Sequence, residues 1–458
     1  MSGSRAASCG WVFAAALLAA LSLVPFLLPG AERFVPTRKP EPIAPGSRPQ
    51  APRLLFVMVD ALGTAGAYSP GWMPRLQARL PKAAHGAALA SFPTLTPNGL
   101  RALLSGRTGV PEPVFLGGLA AQAELDSVLA RAGAAGRMVV AIGQQDWPAL
   151  FTGHAARLEL VPYTGRPDDD EVFRRALAAA QGAHGRWDIL AVHLFDLDGI
   201  GHKHGVGSPE YRRKLLWLDE RIAELAAAAG PNAAVLVTGD HGQSADGSHG
   251  GMDLEARQVP YILWGPRVRP MDLGSFPQRD SATTLSALLG LPPPILAEGW
   301  PRLDALQLSP QEKAAALLDL LEQRRRRWLA AKADWPWLKT DPTPRLEEAR
   351  VRLGSGDFAG ASAEAQAAAQ AADQELAENS PGQWAGRLCW LLWLLVLAAS
   401  FGAAGPAARP ELRAAAAVLA LVCAGLLACP LSAHRLWPLA ASWGPAAAGA
   451  LLLLSLAS

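Results

Sequence analysis

The chain has 458 residues, enough for one large domain with further segments, and its formal net charge is only +2. So small an excess of positive charge excludes a nucleic-acid partner held by bulk electrostatics. The four cysteines, Cys9, Cys389, Cys423 and Cys429, lie in or beside apolar segments at the two ends. The long middle therefore has neither a disulfide framework nor a cysteine metal site.

The first predicted element is an uncharged apolar run at 11–28, WVFAAALLAALSLVPFLL, which is preceded by Arg5. Its length predicts a transmembrane anchor within residues 1–30. A cleaved signal peptide is the alternative, because small residues follow the run. Residues 31–52 are rich in Pro, Arg and Ser and are interpreted as a linker.

Near-continuous apolar runs alternate with helical patterns after the linker. The runs are RLLFVMVD (53–60), RMVVAIG (137–143), WDILAVHLFD (187–196), AAVLVTGD (233–240) and VPYILWG (259–265). Such strands belong to a sheet that is buried on both faces, and the alternation predicts an α/β fold with a doubly wound, mostly parallel sheet. We assign residues 53–308 to this α/β domain. Ligand sites in such sheets form at the carboxyl ends of the strands.

Residues 309–386 are charged and helical in pattern, and they predict a helical extension. Its four consecutive arginines, Arg324–Arg327, are expected on a solvated helix, with contact to anionic lipid headgroups as the alternative. Residues 387–458 are interpreted as a membrane domain of about three helices. The three apolar runs lie at about 388–404, 414–431 and 436–457.

The orientation of the predicted spans follows from their flanking charges. Arg409 and Arg413 lie between the first two C-terminal runs, and Arg5 precedes the N-terminal one. Positively charged flanks favour the cytoplasmic side of a membrane. A multi-pass protein is therefore expected, with residues 31–386 outside the cytoplasm.

Aspartate and histidine residues collect where three of the predicted strands end. The six candidate metal ligands are Asp60, Asp198, His202, Asp240, His241 and His249. Carboxylate and imidazole without thiolate favour Zn²⁺, with Mn²⁺ as the alternative. Six ligands divide into two sets of three, which predicts a two-metal site suited to phosphoryl transfer. Each group alone could also be a helix cap or a turn.

The segment SFPTLTPNGLRALLSG at 91–106 could supply a hydroxyl nucleophile to such a site. A metal lowers the pKa of a bound hydroxyl and so activates it. Thr94 and Thr96 are both candidates, because alternate residues of an extended loop share a face. A turn that merely caps the following helix is the structural alternative.

Four blocks of sequence together resemble the alkaline phosphatase superfamily, and within it the GPI ethanolamine phosphate transferases, whose catalytic domain is of the type I phosphodiesterase/nucleotide pyrophosphatase kind. The blocks are LLFVMVDAL, FPTLTPNGLRALLSG, FDLDGIGHKHG and VLVTGDHGQSADGSHGG. The resemblance covers about residues 53–380 and implies that Thr96 is the nucleophile, with Thr94 as its competitor. It implies one metal set of Asp60, Asp240 and His241 and another of Asp198, His202 and His249.

The resemblance also places two further residues near the substrate. Arg101 and Asn98 are expected to bind it, Arg101 through a phosphate group. A surface position for Arg101 and a supporting role behind the site for Asn98 are the alternatives.

The function implied by the resemblance is a membrane-anchored phosphoethanolamine transferase. A lipid such as phosphatidylethanolamine would be the donor, and a glycan or lipid hydroxyl would be the acceptor. A hydrolase with water as acceptor, a phosphodiesterase or nucleotide pyrophosphatase, is the alternative, and a non-catalytic scaffold is a third possibility.

The family's eukaryotic members have many more spans than the four predicted here, and the Ala-rich chain looks bacterial. An inner membrane with the site facing the periplasm is therefore expected, and the acceptor need not be a GPI glycan. Within the segment 91–106, which carries the candidate nucleophiles, the Cys/Ser-x-Pro-x-Arg motif of sulfatases is absent, which disfavours sulfate-ester hydrolysis.

Overall fold

The computed structural model describes residues 40–43, 52–108, 125–143, 147, 157–161, 168–183 and 185–379. The four predicted membrane spans lie outside these residues. Within the part of the chain that is described, no helix combines the length and the apolar character that crossing a bilayer requires. The anchor and the C-terminal membrane domain therefore stay predictions.

Eight strands of the described residues form one mixed sheet. They are β1 (Arg53–Val59), β2 (Ala83–Leu89), β3 (Val139–Gly143), β4 (Arg157–Leu160), β5 (Ile189–Leu194), β6 (Ala233–Gly239), β7 (Gln258–Trp264) and β8 (Met271–Pro277). Their order across the sheet is β4-β3-β5-β1-β6-β7-β2-β8. Every neighbouring pair is parallel except the two that include β7, which runs antiparallel to β6 and β2.

The five strands predicted from apolar runs are all present, so the α/β class with a mostly parallel sheet is confirmed. The sequence did not reveal β2, β4 and β8, because none of them is a continuous run of large apolar residues; β2, for example, reads AAHGAAL. It also did not reveal the direction of β7. After β6 the chain passes through a loop and one short helix and enters β7 at the same edge of the sheet. The strand β7 therefore runs back antiparallel to β6, and no crossover connection is needed.

Helices follow or separate most strands. They are α1 (Thr64–Tyr68), α2 (Pro74–Gln77), α3 (Thr96–Leu100), α4 (Val128–Ala134), α5 (Asp169–Ala180), α6 (Asp196–His204), α7 (Pro209–Ala229), α8 (Leu254–Arg257), α9 (Asp280–Leu289), α10 (Pro310–Asp334), α11 (Thr343–Gly354) and α12 (Phe358–Glu378). Two 3₁₀ turns cover Leu80–Lys82 and Leu303–Ala305. A π-helical turn, Arg101–Ser105, continues α3.

The sheet is buried on both faces, as its apolar strands predict. Along β1, Leu54, Phe56 and Met58 belong to one core, whereas Leu55 and Val57 belong to the other. Residues of α3, its π-helical continuation, α4 and α9 fill the first core, and residues of α1, α2, α5 and α7 fill the second. This packing holds the ends of the central strands in fixed positions.

The four consecutive arginines of α10 do not form a solvated face, so that prediction is wrong. Arg324 is fully buried; its Nη1 donates to the Ala297 carbonyl at 2.6 Å and its Nε to Asp373 at 2.8 Å. Arg327 is also buried, which lowers its pKa to about 10. The two arginines between them pair with Glu322. Consecutive positions do spread around a helix, but α10 is covered on one side by α11 and α12 and contacts the 295–299 segment on another.

The chain divides into two compact units. The described residues up to Asp373 belong to the unit that contains the sheet, and residues 374–379 are assigned to the other. Of the second unit the structure describes 374–379, which include the end of α12. The boundaries predicted at 52/53, 308/309 and 386/387 stay predictions, although α10 begins close to one of them, at Pro310.

Candidate two-metal active site

The six candidate ligands meet at one edge of the sheet. Strands β5, β1 and β6 are parallel neighbours, so their carboxyl ends lie side by side. Asp60 follows β1, Asp198 and His202 lie on α6 after β5, and Asp240, His241 and His249 follow β6. They form two groups of three, and within each group one ligand atom per residue lies within 4.8 Å of the others.

The inner ligand set consists of Asp60, Asp240 and His241, all buried. The His241 Nε2 lies 3.5 Å from the Asp60 Oδ1 and 3.4 Å from the Asp240 Oδ2. The His241 Nδ1 is 3.1 Å from the Gly242 carbonyl, which can only accept, so Nδ1 carries the proton and Nε2 presents a lone pair. The other Asp240 oxygen, Oδ1, accepts from the Ala61 amide at 3.0 Å. The three remaining acceptor atoms therefore converge on one point.

The outer ligand set consists of Asp198, His202 and His249 and is partly exposed. Asp198 and His202 are four residues apart on α6, which places them on one face. The Asp198 Oδ2 lies 3.4 Å from the His202 Nε2, and the Asp198 Oδ1 lies 3.4 Å from the His249 Nε2. The His249 Nδ1 donates to the Thr94 carbonyl at 2.8 Å, which leaves its Nε2 facing the set.

Both sets fit a divalent cation. Ligand atoms placed tetrahedrally about 2.0–2.1 Å from Zn²⁺ lie about 3.3 Å apart. The separations between the histidine Nε2 atoms and the other ligand atoms of their sets, 3.0–3.5 Å, agree with that spacing. The Asp60 Oδ1 and the Asp240 Oδ2 are buried without a hydrogen-bond partner. Burial, and then the Asp240 and Asp198 carboxylates, raise the pKa of Asp60 well above its usual range. A cation between these carboxylates would offset that cost.

The two sets are adjacent to one another. The ring of His241, from the inner set, stacks on the ring of His249, from the outer set, with centroids 4.1 Å apart. A single substrate group can therefore face both sets, as two-metal phosphoryl transfer requires.

The two candidate threonines point to different places. The Thr96 hydroxyl donates to the Asp60 Oδ2 at 3.3 Å and lies 3.5 Å from the His241 Nε2, so it faces the inner set. The Thr94 hydroxyl instead accepts from the Gly250 amide at 2.7 Å, and Thr94 is 1% exposed. Thr94 therefore fastens the loop that carries His249, through its hydroxyl and its carbonyl.

Gly99 allows the helix that begins with Thr96 to lie directly on the inner set. A Cβ atom at Gly99 would come within 2.5 Å of the Asp240 Cβ and 2.7 Å of the Asp240 carbonyl oxygen. No side chain fits there, because backbone would have to move. The glycine thus fixes the distance between the threonine and the ligands.

The two predicted substrate-binding residues lie on the same helix and its continuation. Asn98 is 1% exposed, and its amide donates to the Pro93 carbonyl at 3.0 Å, which closes the turn before α3. Arg101 is partly buried and begins the π-helical turn, where its carbonyl accepts from the Ser105 hydroxyl at 2.5 Å. Substrate contact by either residue stays a prediction.

Two residues that support the ligands were not predicted from the sequence. The Gln243 amide donates to the Asp198 Oδ1 at 2.9 Å and to the Asp198 carbonyl at 3.0 Å. His193 is fully buried in β5, with its Nε2 3.4 Å from the Asp60 Oδ2. A signal existed for both: Gln243 lies in the glycine-rich stretch after β6, and His193 is the one polar residue in the strand ILAVHL.

Residues 140–255 match the family model described as type I phosphodiesterase / nucleotide pyrophosphatase. This stretch includes five of the six candidate ligands; Asp60 and Thr96 precede it. This part of the chain is therefore similar to that family, in agreement with the sequence blocks, and the similarity indicates an enzyme.

The curated relatives include GPI ethanolamine phosphate transferases. The human GPI ethanolamine phosphate transferase 3, catalytic subunit, is 29% identical over 289 residues, which are 55% of this chain and 26% of that protein. The human GPI ethanolamine phosphate transferase 2, catalytic subunit, is 32% identical over 291 residues, which are 56% of this chain and 29% of that protein. The chain thus spans between a quarter and a third of the length of these relatives.

Among solved structures, the murine ectonucleotide pyrophosphatase / phosphodiesterase 5 is similar with a TM-score of 0.43 and 13% identity. The similarity covers 52% of this chain and 95% of that chain.

Proposed function

We propose that this protein is a membrane-anchored, metal-dependent transferase that moves a phosphoethanolamine or similar phospho-alcohol group through a covalent intermediate on Thr96. The observation that carries this proposal is the position of the Thr96 hydroxyl, 3.3 Å from the Asp60 Oδ2 and 3.5 Å from the His241 Nε2. The names of the transferase relatives support the group transferred. Predicted membrane spans at both ends of the sequence support a lipid donor, because tethering raises its local concentration.

The inner set would hold one divalent cation, Zn²⁺ or Mn²⁺, and the outer set a second. Bound there, the cations supply positive charge that lowers the pKa of a nearby hydroxyl and stabilises charge on the phosphoryl oxygens. The histidines His241 and His249 present their Nε2 lone pairs because their Nδ1 atoms donate to carbonyls.

The first step transfers the group from the donor to the protein. The Thr96 Oγ1 forms a bond to phosphorus while the bond from phosphorus to the diacylglycerol oxygen breaks. The Asp60 Oδ2 is the nearest acceptor for the hydroxyl proton of Thr96, at 3.3 Å, and that proton ends on the departing diacylglycerol oxygen. The α3 helix holds the threonine in place, because Gly99 seats it against Asp240.

The second step transfers the group to the acceptor. A hydroxyl of a glycan or of another lipid attacks phosphorus, the bond to the Thr96 Oγ1 breaks, and the proton lost by the acceptor returns to the threonine. With water in place of that hydroxyl, the same residues would act as a phosphodiesterase. The family model, named for phosphodiesterase and nucleotide pyrophosphatase, favours this hydrolase as the second candidate function.

The assay that separates the two functions follows phosphatidylethanolamine labelled in its headgroup. The full-length protein is reconstituted with zinc, with and without glycan or lipid acceptors. The transferase reading predicts label on an acceptor and an equal amount of diacylglycerol. Free phosphoethanolamine as the sole product with every acceptor would refute the transferase and leave the hydrolase.

We further propose that the catalytic domain faces away from the cytoplasm, at the periplasmic side of a bacterial inner membrane. Reporter fusions test this arrangement. A reporter joined after about residue 300 should be active only outside the cytoplasm, and one in the 405–413 loop should report the cytoplasm. The reverse pattern would overturn the orientation.

A further inference from the structure

His193 occupies a position in β5 from which it can reach the inner ligand set. It pairs in register with Met58 of β1, two residues before Asp60, and its side chain is fully buried. Two aromatic side chains lie against its ring: Trp147, at a centroid distance of 6.1 Å, and Phe195, at 6.0 Å. A polar ring in such surroundings is costly unless its nitrogen atoms have partners.

The contact with Trp147 decides which nitrogen of His193 carries the proton. The indole Nε1 of Trp147 lies 3.3 Å from the His193 Nδ1, and an indole nitrogen can only donate. The Nδ1 atom must therefore accept. Since Nδ1 accepts, the proton of the ring lies on Nε2.

The protonated Nε2 faces Asp60. It lies 3.4 Å from the Asp60 Oδ2, a few tenths of an ångström beyond a typical N–H···O bond, and it makes no hydrogen bond to any described residue. The same Oδ2 accepts from the Thr96 hydroxyl. The Asp60 Oδ1 has no hydrogen-bond partner and lies 3.5 Å from the His241 Nε2.

We propose that His193 is a positioning residue for Asp60: its Nε2–H, 3.4 Å from Oδ2, is the donor that would close onto this oxygen when a cation binds, so that Oδ1 would face a cation in the inner set. Thr96 gives up its hydrogen bond to Oδ2 when it attacks, and His193 is then the donor that still orients the carboxylate. Trp147 acts one step further away by fixing the tautomer of His193. This inference rests on the proposed function in one respect, that the inner set binds a divalent cation.

The test compares His193→Gln with His193→Asn in the full-length protein. The longer Gln side chain can place an amide donor near the position of Nε2, whereas Asn ends near the position of Nδ1 and cannot reach Asp60. The control is Thr238→Val; Thr238 is buried in β6 in register with the same Met58, and its hydroxyl donates only to the Gly239 carbonyl, at 3.2 Å. The readout is zinc affinity and stoichiometry, by competition with a chromophoric chelator.

The expected result is two zinc ions for the wild-type protein and a selective loss in one variant. His193→Asn should weaken one of the two ions by about 10–100-fold, the usual effect of removing a group that orients a ligand. His193→Gln should restore most of that affinity, and Thr238→Val should leave both ions unchanged. Trp147→Phe removes only the indole donor and should weaken the same ion by a smaller factor, which keeps the test open if the Asn variant fails to fold.

Two results would overturn the inference alone: wild-type affinity for both ions in His193→Asn and in Trp147→Phe, or equal weakening in the Asn and Gln variants. A wild-type protein that binds no zinc and no manganese would instead overturn the proposed function, and the inference with it.

Discussion

Two buried polar clusters of this molecule differ in how their hydrogen bonds are satisfied. In the inner ligand set, the Asp60 Oδ1 and the Asp240 Oδ2 are buried without a hydrogen-bond partner. In α10, Arg324 is equally buried, but its Nε, Nη1 and Nη2 all donate to Asp373 or to carbonyls of the 297–299 segment.

This difference distinguishes a candidate ligand-binding site, the inner set, from a structural cluster around Arg324. An unpaired buried acceptor costs free energy that folding alone does not repay, so its persistence points to a ligand that completes it. A buried arginine with every nitrogen paired needs no such partner. We therefore propose chemistry at the carboxyl edge of the sheet and a structural role for Arg324.

The largest effect is expected from Thr96→Ala. Turnover should fall by about 10⁴-fold or more, because the attacking oxygen is removed, while both metal sites and the melting temperature stay unchanged. Thr94→Ala is the matched control, since its hydroxyl bonds only the 250–251 loop; its rate should fall by no more than about tenfold, the equivalent of one hydrogen bond. Equal losses in the two variants would contradict this assignment.

Loss of a ligand should come next. Asp240→Asn in the inner set and His202→Ala in the outer set should each lower turnover by more than about 100-fold. Removing a group that only supports a metal ligand already costs up to about 100-fold, so loss of the ligand itself should cost more. Metal analysis should find one ion fewer in each variant, and chelation should inactivate the wild-type protein. Full activity in both variants would remove the basis for treating the two sets as metal sites.

Arg324→Met tests the other side of the comparison. It removes the donor to the Glu298 and Gly299 carbonyls and the nearer of the two cations beside Asp373, so the free energy of unfolding should fall by about 3–5 kcal/mol, with unchanged turnover per folded molecule. Arg325→Met is the control on the same helix; its partner Glu322 keeps Arg326, so the loss should stay below about 1 kcal/mol. Thermal unfolding with active-site titration would measure both, and a lost rate without lost stability would place Arg324 in the site.

A smaller effect is expected from Gln243→Leu, which removes the amide that holds Asp198. Zinc affinity of the outer set should fall by about 10–100-fold, while the inner set keeps its ion. Chelator competition would detect the change, and weakening of the inner ion alone would contradict the described contact.

The sequence was sufficient to predict that the six candidate ligands meet, because each follows a strand that is recognisable by its apolar run. Asp60, Asp198 and Asp240 needed only the rule that parallel strands present their carboxyl ends at one edge. His193 and Trp147 were missed because their contact joins residues 46 positions apart, and no local pattern contains that pairing. Arg324 was misjudged for a related reason: a sequence shows which residues are charged, but only packing shows which are covered.

The most direct test of the account is to map the covalent intermediate. The wild-type protein, reconstituted with zinc, would be quenched in acid during turnover of labelled phosphatidylethanolamine and fragmented by mass spectrometry across residues 91–106. The account predicts a phosphoethanolamine group on Thr96, absent from the Thr96→Ala protein. The group on Thr94, or no group on any residue while turnover continues, would contradict it.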